Sequence, residues 1–84
     1  MGQIALVSKV SQDKFLKLIG KKIRGYRLEQ GISQDQLAFE CDMPIKQIGR
    51  IERGEINTGI FTLYRITEAL EIALTDILDP QAPN

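Results

Sequence analysis

The sequence predicts an all-α domain of five short helices, and three observations lead to that prediction. After residue 13, apolar residues recur every three or four positions, which is the spacing of an amphipathic helix. Glycine, proline and capping residues divide this pattern into short segments. The chain has 84 residues, which is too few for a second hydrophobic core, so we expect a single domain.

The composition excludes several classes of function. The chain has no histidine and a single cysteine, Cys41, so a disulfide framework, the usual zinc sites and histidine-dependent nucleophiles are all excluded. The longest apolar run, residues 4–7, is far shorter than a membrane span or a signal-peptide core. We therefore expect a cytoplasmic, non-catalytic protein with no cofactor, no membrane association and no small-molecule ligand.

The charges are distributed unevenly along the chain although the net charge is zero. Residues 1–53 hold ten basic and six acidic side chains, a balance of +4, and residues 54–84 hold one basic and five acidic, a balance of −4. A basic half is the electrostatic footprint of a surface that faces a polyanion, so nucleic acid is a candidate partner.

Residues 1–13 are predicted to be an N-terminal arm. Ile4, Leu6 and Val10 do not follow a helical period. The segment is consistent with a short strand, a flexible arm or a segment that packs on a partner.

The first two helices follow the arm. Phe15, Ile19, Ile23 and Tyr26 define the apolar face of helix one, which Gly31 ends. Helix two begins at a capping box, in which the hydroxyl of Ser33 accepts from the backbone and Gln36 reaches back. Its inward residues are Leu37, Ala38 and Cys41.

The last three helices are shorter or less strongly marked. Pro44 suits the first turn of helix three, which buries Ile48 and Ile51 and closes at Gly54. Residues 80–84 are predicted to be a C-terminal tail, so the domain spans residues 14–79. The inward residues of helices four and five are Leu63, Ile66, Ala69 and Leu70, then Leu74, Ile77 and Leu78.

Helices two and three, with the turn at residues 41–43, have the helix-turn-helix layout over residues 33–53. Residues 19–78 resemble the Cro/cI-like (XRE-type) helix-turn-helix domain of phage repressors and small bacterial transcriptional regulators. The resemblance implies a lambda-repressor-like fold. The residues that carry it are Ile19, Gly20, Ile23, Arg27, Gly31, Ser33, Gln34, Leu37, Ala38, Ile48, Arg50, Ile51, Glu52, Arg53, Gly54, Leu63, Ile66, Ala69 and Leu70.

Three residues depart from the family pattern. Asp42 and Glu71 stand where glycine is common, and Pro44 stands where a capping serine or threonine is common. We expect slight strain in the turn, no side-chain cap on helix three, and a less distinct break before helix five.

The resemblance implies that helix three, residues 45–53, enters the major groove of double-stranded DNA. Its candidate base-reading residues are Ile45, Lys46, Gln47 and Arg50. Arg50 suits guanine, Lys46 or Gln47 a neighbouring base, and Ile45 a thymine methyl group.

Other roles follow from the same resemblance. Gln34, Asn57 and Thr58 are expected to contact phosphate, and Arg27 and Glu52 are expected to form a structural pair.

Because one such domain makes few base contacts, we expect a homodimer. Its candidate interface residues are Ile60, Leu74, Ile77 and Leu78, and the apolar N-terminal arm is an alternative interface. The sequence thus predicts a DNA-binding regulator, most simply a repressor. The alternative is an antitoxin or other interaction module whose main partner is a protein, such as a toxin or another regulator.

Overall fold

The computed structural model describes the backbone of residues 2–79 and the side chains of residues 12–79. These residues form an all-helical fold without a strand, which confirms the predicted class. None of the helices described is both long enough and apolar enough to cross a membrane. The five helices are α1 (Gly2–Glu29), α2 (Gln34–Cys41), α3 (Ile45–Glu52), α4 (Ile60–Leu70) and α5 (Leu74–Leu78).

α1 begins at Gly2 and runs for 28 residues, so the backbone of residues 2–13 is helical rather than a strand or a flexible arm. That this segment packs on a partner stays a prediction. No glycine or proline interrupts the chain between Gln3 and Ile19. Extending an existing helix is easier than nucleating a new one, so the well-packed part of α1 favours helix in the segment before it. The helix crosses the predicted boundary at residue 13 without a break. The predicted tail, residues 80–84, lies outside the described residues.

The hydrophobic core takes side chains from all five helices. Burial of each large aliphatic side chain contributes about 1.5–3 kcal/mol relative to exposure, so this cluster is the main source of stability. Phe15, which the periodicity placed on the inward face of α1, is partly exposed at the edge of the core. The buried apolar residues are Ile19, Ile23, Leu37, Ala38, Cys41, Ile48, Ile51, Leu63, Ile66, Leu70 and Ile77.

The start of α2 has half of the predicted capping box. The Ser33 hydroxyl accepts from the Gln36 backbone N–H at 3.0 Å. The Gln36 side chain instead donates to the Glu40 carboxylate, at 3.5 Å, because the two residues lie one turn apart on the same exposed face. The second half of the predicted box is therefore wrong.

The turns that end α2 and α4 both use a residue with a side chain in the left-handed region. Asp42 has φ 55° and Glu71 has φ 57°. The backbone N–H of Ile72 bonds the Thr67 carbonyl at 3.0 Å, so the end of α4 is well defined. The break before α5 is therefore distinct, contrary to the expectation drawn from the missing glycine.

The start of α3 lacks a side-chain cap, as predicted. Pro44 is the residue before the helix and has an extended backbone, φ −63° and ψ 143°. It therefore lies one position earlier than the first-turn placement expected from the sequence. Residues 42–44 make the turn between the two helices of the motif.

Two glycines allow the end of α3 to lie directly on α1. A Cβ atom at Gly20 would collide with the backbone carbonyl oxygens of Ile51 and Glu52. Gly54 has φ 70°, and a Cβ atom there would lie 2.7 Å from the Cα of Lys17. This close contact fixes the orientation of α3 relative to the rest of the domain.

Candidate nucleic-acid interface

The two faces of α3 have different environments. Ile48 and Ile51 are buried in the core, as the sequence predicted. Ile45, Lys46 and Arg50 are exposed on the opposite side, with 42% of Ile45 accessible to solvent. An exposed isoleucine beside two cations is a surface that can meet both an anion and an apolar group.

A shallow groove runs along the exposed side of α3. It contains four of the predicted DNA-contacting residues together with Gly49 and Arg53; Gln47 is half-buried and does not line it. We call this surface the α3 groove, and it is lined by Gln34, Ile45, Lys46, Gly49, Arg50 and Arg53.

Arg53 was not identified as a site residue from the sequence. It follows the last residue of α3, and its Nη1 would lie 3.1 Å from a Cβ at Gly49. The absence of a side chain at Gly49 therefore makes room for the Arg53 guanidinium on the groove. In the sequence Arg53 was part of the family pattern, and its spacing of three residues from Arg50, about one helical turn, indicated that the two arginines share a face.

Arg27 and Glu52, the predicted structural pair, form a buried ion pair between α1 and α3. The Nε of Arg27 donates to Oε2 of Glu52 at 2.6 Å, and Nη2 donates to Oε1 at 3.0 Å. Both residues are only 7% exposed. The hydrogen bonds to Glu52 raise the pKa of Arg27 above its ordinary value. Nη1 of Arg27 also donates to the carbonyl of Ile32, at 3.0 Å, so the pair reaches the loop before α2.

Gln34 joins this pair from the first turn of α2. Its Nε2 donates to Oε1 of Glu52 at 3.0 Å. Glu52 therefore accepts hydrogen bonds from α1 and α2 while it belongs to α3, and the start of α2 is fixed beside the α3 groove. The contact with phosphate expected of Gln34 stays a prediction, and its amide nitrogen already has an internal partner.

Asn57 and Thr58 lie elsewhere. Both line an apolar cleft between α1, the loop after α3 and α4, together with Phe15 and Ile60. Neither lines the α3 groove, so the structure does not bring them together with the predicted base-reading residues. Their contact with phosphate also stays a prediction.

The predicted dimer interface needs one correction. Ile77 is 0% exposed, because α5 packs on α1 and α4 and turns this side chain into the core, so it cannot contact a partner directly. Leu74 and Leu78 are half-buried against the same core. Ile60 alone of the four residues is largely accessible, with 61% of its surface exposed.

Two exposed aromatic residues next to Ile60 were missed in the sequence. Phe61 is 67% exposed, and its ring lies 6.3 Å from that of Tyr64, measured between centroids. The two side chains occupy one exposed face of α4, one and four residues after Ile60. The sequence could have indicated their exposure, because positions 61 and 64 fall outside the apolar stripe of α4 that faces the core.

Cys41 packs as a small apolar residue. It is buried, and burial raises the pKa of its thiol. Its Sγ lies 3.8 Å from the Arg65 carbonyl oxygen, which gives the S–H a weak acceptor in α4. A neutral, inaccessible thiol is a poor nucleophile.

The chain is similar to known proteins of one family. A family model described as helix-turn-helix, HTH_3, matches residues 23–77. Control protein C.BamHI of Bacillus amyloliquefaciens is 41% identical over 63 residues, which cover 74% of this chain and 78% of that protein. The HTH-type transcriptional regulator SlrR of Bacillus subtilis is 35% identical over 76% of this chain, a match that spans 43% of SlrR.

Among solved structures, the fold is similar to that of the restriction-modification controller protein C.AhdI of Aeromonas hydrophila. The TM-score is 0.72 at 29% identity, and the match covers 74% of this chain and 94% of that one. The family model, which matches residues 23–77, includes the whole helix-turn-helix of residues 33–53.

Proposed function

The chain belongs to the helix-turn-helix family HTH_3, and from this premise we propose that it is a non-catalytic transcriptional regulator that reads double-stranded DNA with α3 as a homodimer. The family confirms the resemblance to Cro/cI-like (XRE-type) domains. The observation that carries the reading role of α3 is the α3 groove. It places Ile45, Lys46 and Arg50 on the exposed side of a helix whose opposite side is fixed in the core.

The chemistry of this groove suits the edges of base pairs. The major groove is wide enough to admit a helix and displays a distinct set of donors and acceptors for each base pair. Arg50 carries a planar guanidinium that can donate two hydrogen bonds to O6 and N7 of guanine. Lys46, four residues earlier, can donate to a neighbouring base, and Ile45 can contact a thymine methyl group.

The buried network of Arg27, Glu52 and Gln34 supports this role by holding α3 in one orientation. A rigid helix does not have to be ordered when DNA binds, so less of the interaction free energy is lost. Gln34 stands at the start of α2, where backbone N–H groups and the helix dipole favour an anion. We propose that this end of α2 positions the domain on phosphate while α3 reads sequence.

A homodimer gives such a domain enough contacts for specificity. Helix-turn-helix dimers bind half-sites about one helical turn apart, and the two-fold axis of the protein matches that of the operator. We propose that Ile60 and its aromatic neighbours on α4 supply the contact between the two copies. Repression follows most simply if the bound dimer blocks access of the polymerase.

We further propose that the regulated genes are those of a restriction-modification system. This rests on C.BamHI and C.AhdI, which are a control protein and a restriction-modification controller protein respectively. Under this proposal, the preferred operator of the chain lies upstream of neighbouring endonuclease and methyltransferase genes. An operator beside unrelated genes would reject this specific role and leave the DNA-reading role in place.

The test is selection of bound duplexes from a random DNA pool at near-physiological salt, performed with the wild-type chain and with Arg50→Ala. We expect the wild type to enrich an inverted repeat with half-sites about ten base pairs apart. Arg50→Ala should lose the preference at one base pair in each half-site, a discrimination of about 1–3 kcal/mol.

The matched control is Lys14→Ala, which removes an exposed cation of α1 that does not line the α3 groove. Its selected sequence should equal that of the wild type. No enrichment by the wild type would contradict the proposed function. An unchanged base preference in Arg50→Ala would show that α3 does not read DNA as proposed.

A further inference from the structure

A carboxylate lies beside the two arginines of the α3 groove. Glu55, in the loop after α3, accepts from Arg53 through two bonds, Nε to Oε2 at 2.7 Å and Nη2 to Oε1 at 3.3 Å. Its Oε1 also lies 3.9 Å from the Nε of Arg50. One acidic side chain thus neutralises part of the positive charge that the groove presents.

This contact has little structural purpose. The side chains of Arg53 and Glu55 are 60% and 48% exposed, and exposed ion pairs contribute little to the stability of a fold. The pair of Arg27 and Glu52, by contrast, is buried and joins two helices. The Arg53–Glu55 contact is therefore free to open when another anion approaches.

The guanidinium of Arg53 suits either of two anions. A guanidinium fits a carboxylate and a phosphate with the same two-bond geometry. The bonds from Arg53 lower the pKa of Glu55. Like any exposed glutamate, Glu55 is ionised at neutral pH, so its carboxylate competes with phosphate for the Arg53 guanidinium. Arg53 lies on the groove that holds Arg50, and Gly49 leaves space for its guanidinium there.

We propose that Arg53 is a further phosphate-binding residue of the interface and that Glu55 is the internal anion that DNA phosphate must displace from it. This inference rests on the proposed DNA-reading role of α3. In the free chain Glu55 holds Arg53; on DNA the guanidinium exchanges the carboxylate for a phosphate oxygen. Glu55 thereby weakens binding to any duplex, whatever its sequence, since phosphate contacts carry no sequence information.

The first test replaces the carboxylate with a neutral group of the same shape, Glu55→Gln. Binding to a duplex of random sequence is measured by fluorescence anisotropy at several salt concentrations. We expect about five- to tenfold tighter binding near 0.1 M salt, with a similar dependence of log affinity on log salt, because the wild type makes the same Arg53–phosphate contact once Glu55 is displaced. Thermal midpoints should not change.

The control for net charge is Glu29→Gln, which removes an exposed carboxylate at the end of α1 that does not line the α3 groove. It makes the same change in total charge away from the α3 groove. We expect its affinity and salt dependence to stay close to those of the wild type. A gain equal to that of Glu55→Gln would reduce the effect to net charge and overturn the proposal.

The second test is the double variant Glu55→Gln with Arg53→Ala, which asks whether the gain acts through Arg53. Relative to Arg53→Ala alone, we expect the gain in affinity to disappear, so that the two positions are coupled, and the salt dependence of both Arg53 variants should be shallower by about 0.9, the loss of one phosphate contact. A gain that persists without Arg53 would show that Glu55 only repels DNA, and would overturn the inference. If the wild type binds duplexes but Glu55→Gln changes nothing, this inference fails alone; if the wild type binds no duplex, the proposed function fails with it.

Discussion

Glu52 is the residue on which the position of α3 depends most directly. It accepts hydrogen bonds from Arg27 and from Gln34, and it is almost fully buried. Glu52→Ala leaves the Arg27 guanidinium buried without its partner, which typically costs about 3–5 kcal/mol. We therefore expect a much lower midpoint in urea unfolding, and a loss of DNA affinity at temperatures where part of the chain is unfolded.

Glu68→Ala is the control, since its carboxylate is exposed and pairs only with Tyr64 in the contacts described. We expect it to change the free energy of unfolding by less than about 0.5 kcal/mol. If Glu52→Ala lost DNA affinity at an unchanged unfolding midpoint, Glu52 would act in binding rather than in the fold.

At the scale of residues, the sequence predicts the roles of positions that match the family pattern, and it gives no reason for requirements that arise from contacts distant in the chain. The pair of Arg27 and Glu52 was predictable because both positions match the resemblance. The requirement for glycine at Gly20 comes from carbonyl groups 31 and 32 residues further along the chain, Ile51 and Glu52. Helical periodicity describes neighbours three or four positions apart and contains no information about such contacts.

At the scale of helices, the ends of α2 and α4 offer a way to stabilise the fold. Glu71 has φ 57°, a conformation that an L side chain adopts at a cost of roughly 1–2 kcal/mol and that glycine adopts freely. Glu71→Gly should therefore raise the free energy of unfolding, by about 0.5–1 kcal/mol after the added chain entropy of glycine is subtracted. Urea unfolding monitored by circular dichroism measures the change.

Glu71→Ala separates this explanation from a simple charge effect. Alanine removes the same carboxylate but keeps a Cβ atom in the left-handed region, so it should not share the gain. Equal stabilisation by both substitutions would attribute the effect to the charge of Glu71. Asp42→Gly, at φ 55°, should show a smaller gain, because aspartate tolerates this region better than glutamate.

Helix positions were predictable where glycine, proline and serine mark the ends. α3 was expected over residues 45–53 and occupies Ile45–Glu52. The N-terminal segment was not predictable in the same way, since neither a capping residue nor an amphipathic period marks it. The segment is helical as an extension of the packed part of α1, and the apolar residues within it could not indicate that extension.

At the scale of the whole molecule, zero net charge conceals two different surfaces. The α3 groove carries Lys46, Arg50 and Arg53, and Glu55 contacts the two arginines at its edge. The exposed face of α4 carries Ile60 and Phe61 instead. A molecule of this size can therefore present DNA with one side and a second copy with another. The charge balance of the two halves of the sequence indicated the first surface. Ile60 was expected on the second from the sequence, and the fold adds the exposed Phe61 beside it.

The last prediction concerns that second surface. A dimer that uses α4 must bury Ile60, and a glutamate there would put a charge into an apolar contact without a partner. We expect the wild type to sediment as a dimer at micromolar concentration and Ile60→Glu to sediment as a monomer with an unchanged fold. Phe39→Glu is the control, because Phe39 is also an exposed apolar residue but lies on α2.

A chain that lacks residues 1–11 tests the alternative interface that the sequence left open. Among the residues whose side chains the structure describes, those of the core lie between Ile19 and Ile77, so we expect this shortened chain to fold, with about ten fewer helical residues in circular dichroism. If α4 forms the interface, the shortened chain stays dimeric while Ile60→Glu does not. The opposite result, a dimer that survives Ile60→Glu and dissociates on truncation, would assign the contact to the N-terminal part of α1. It would also give the apolar residues Ile4, Leu6 and Val7 of that segment a partner surface.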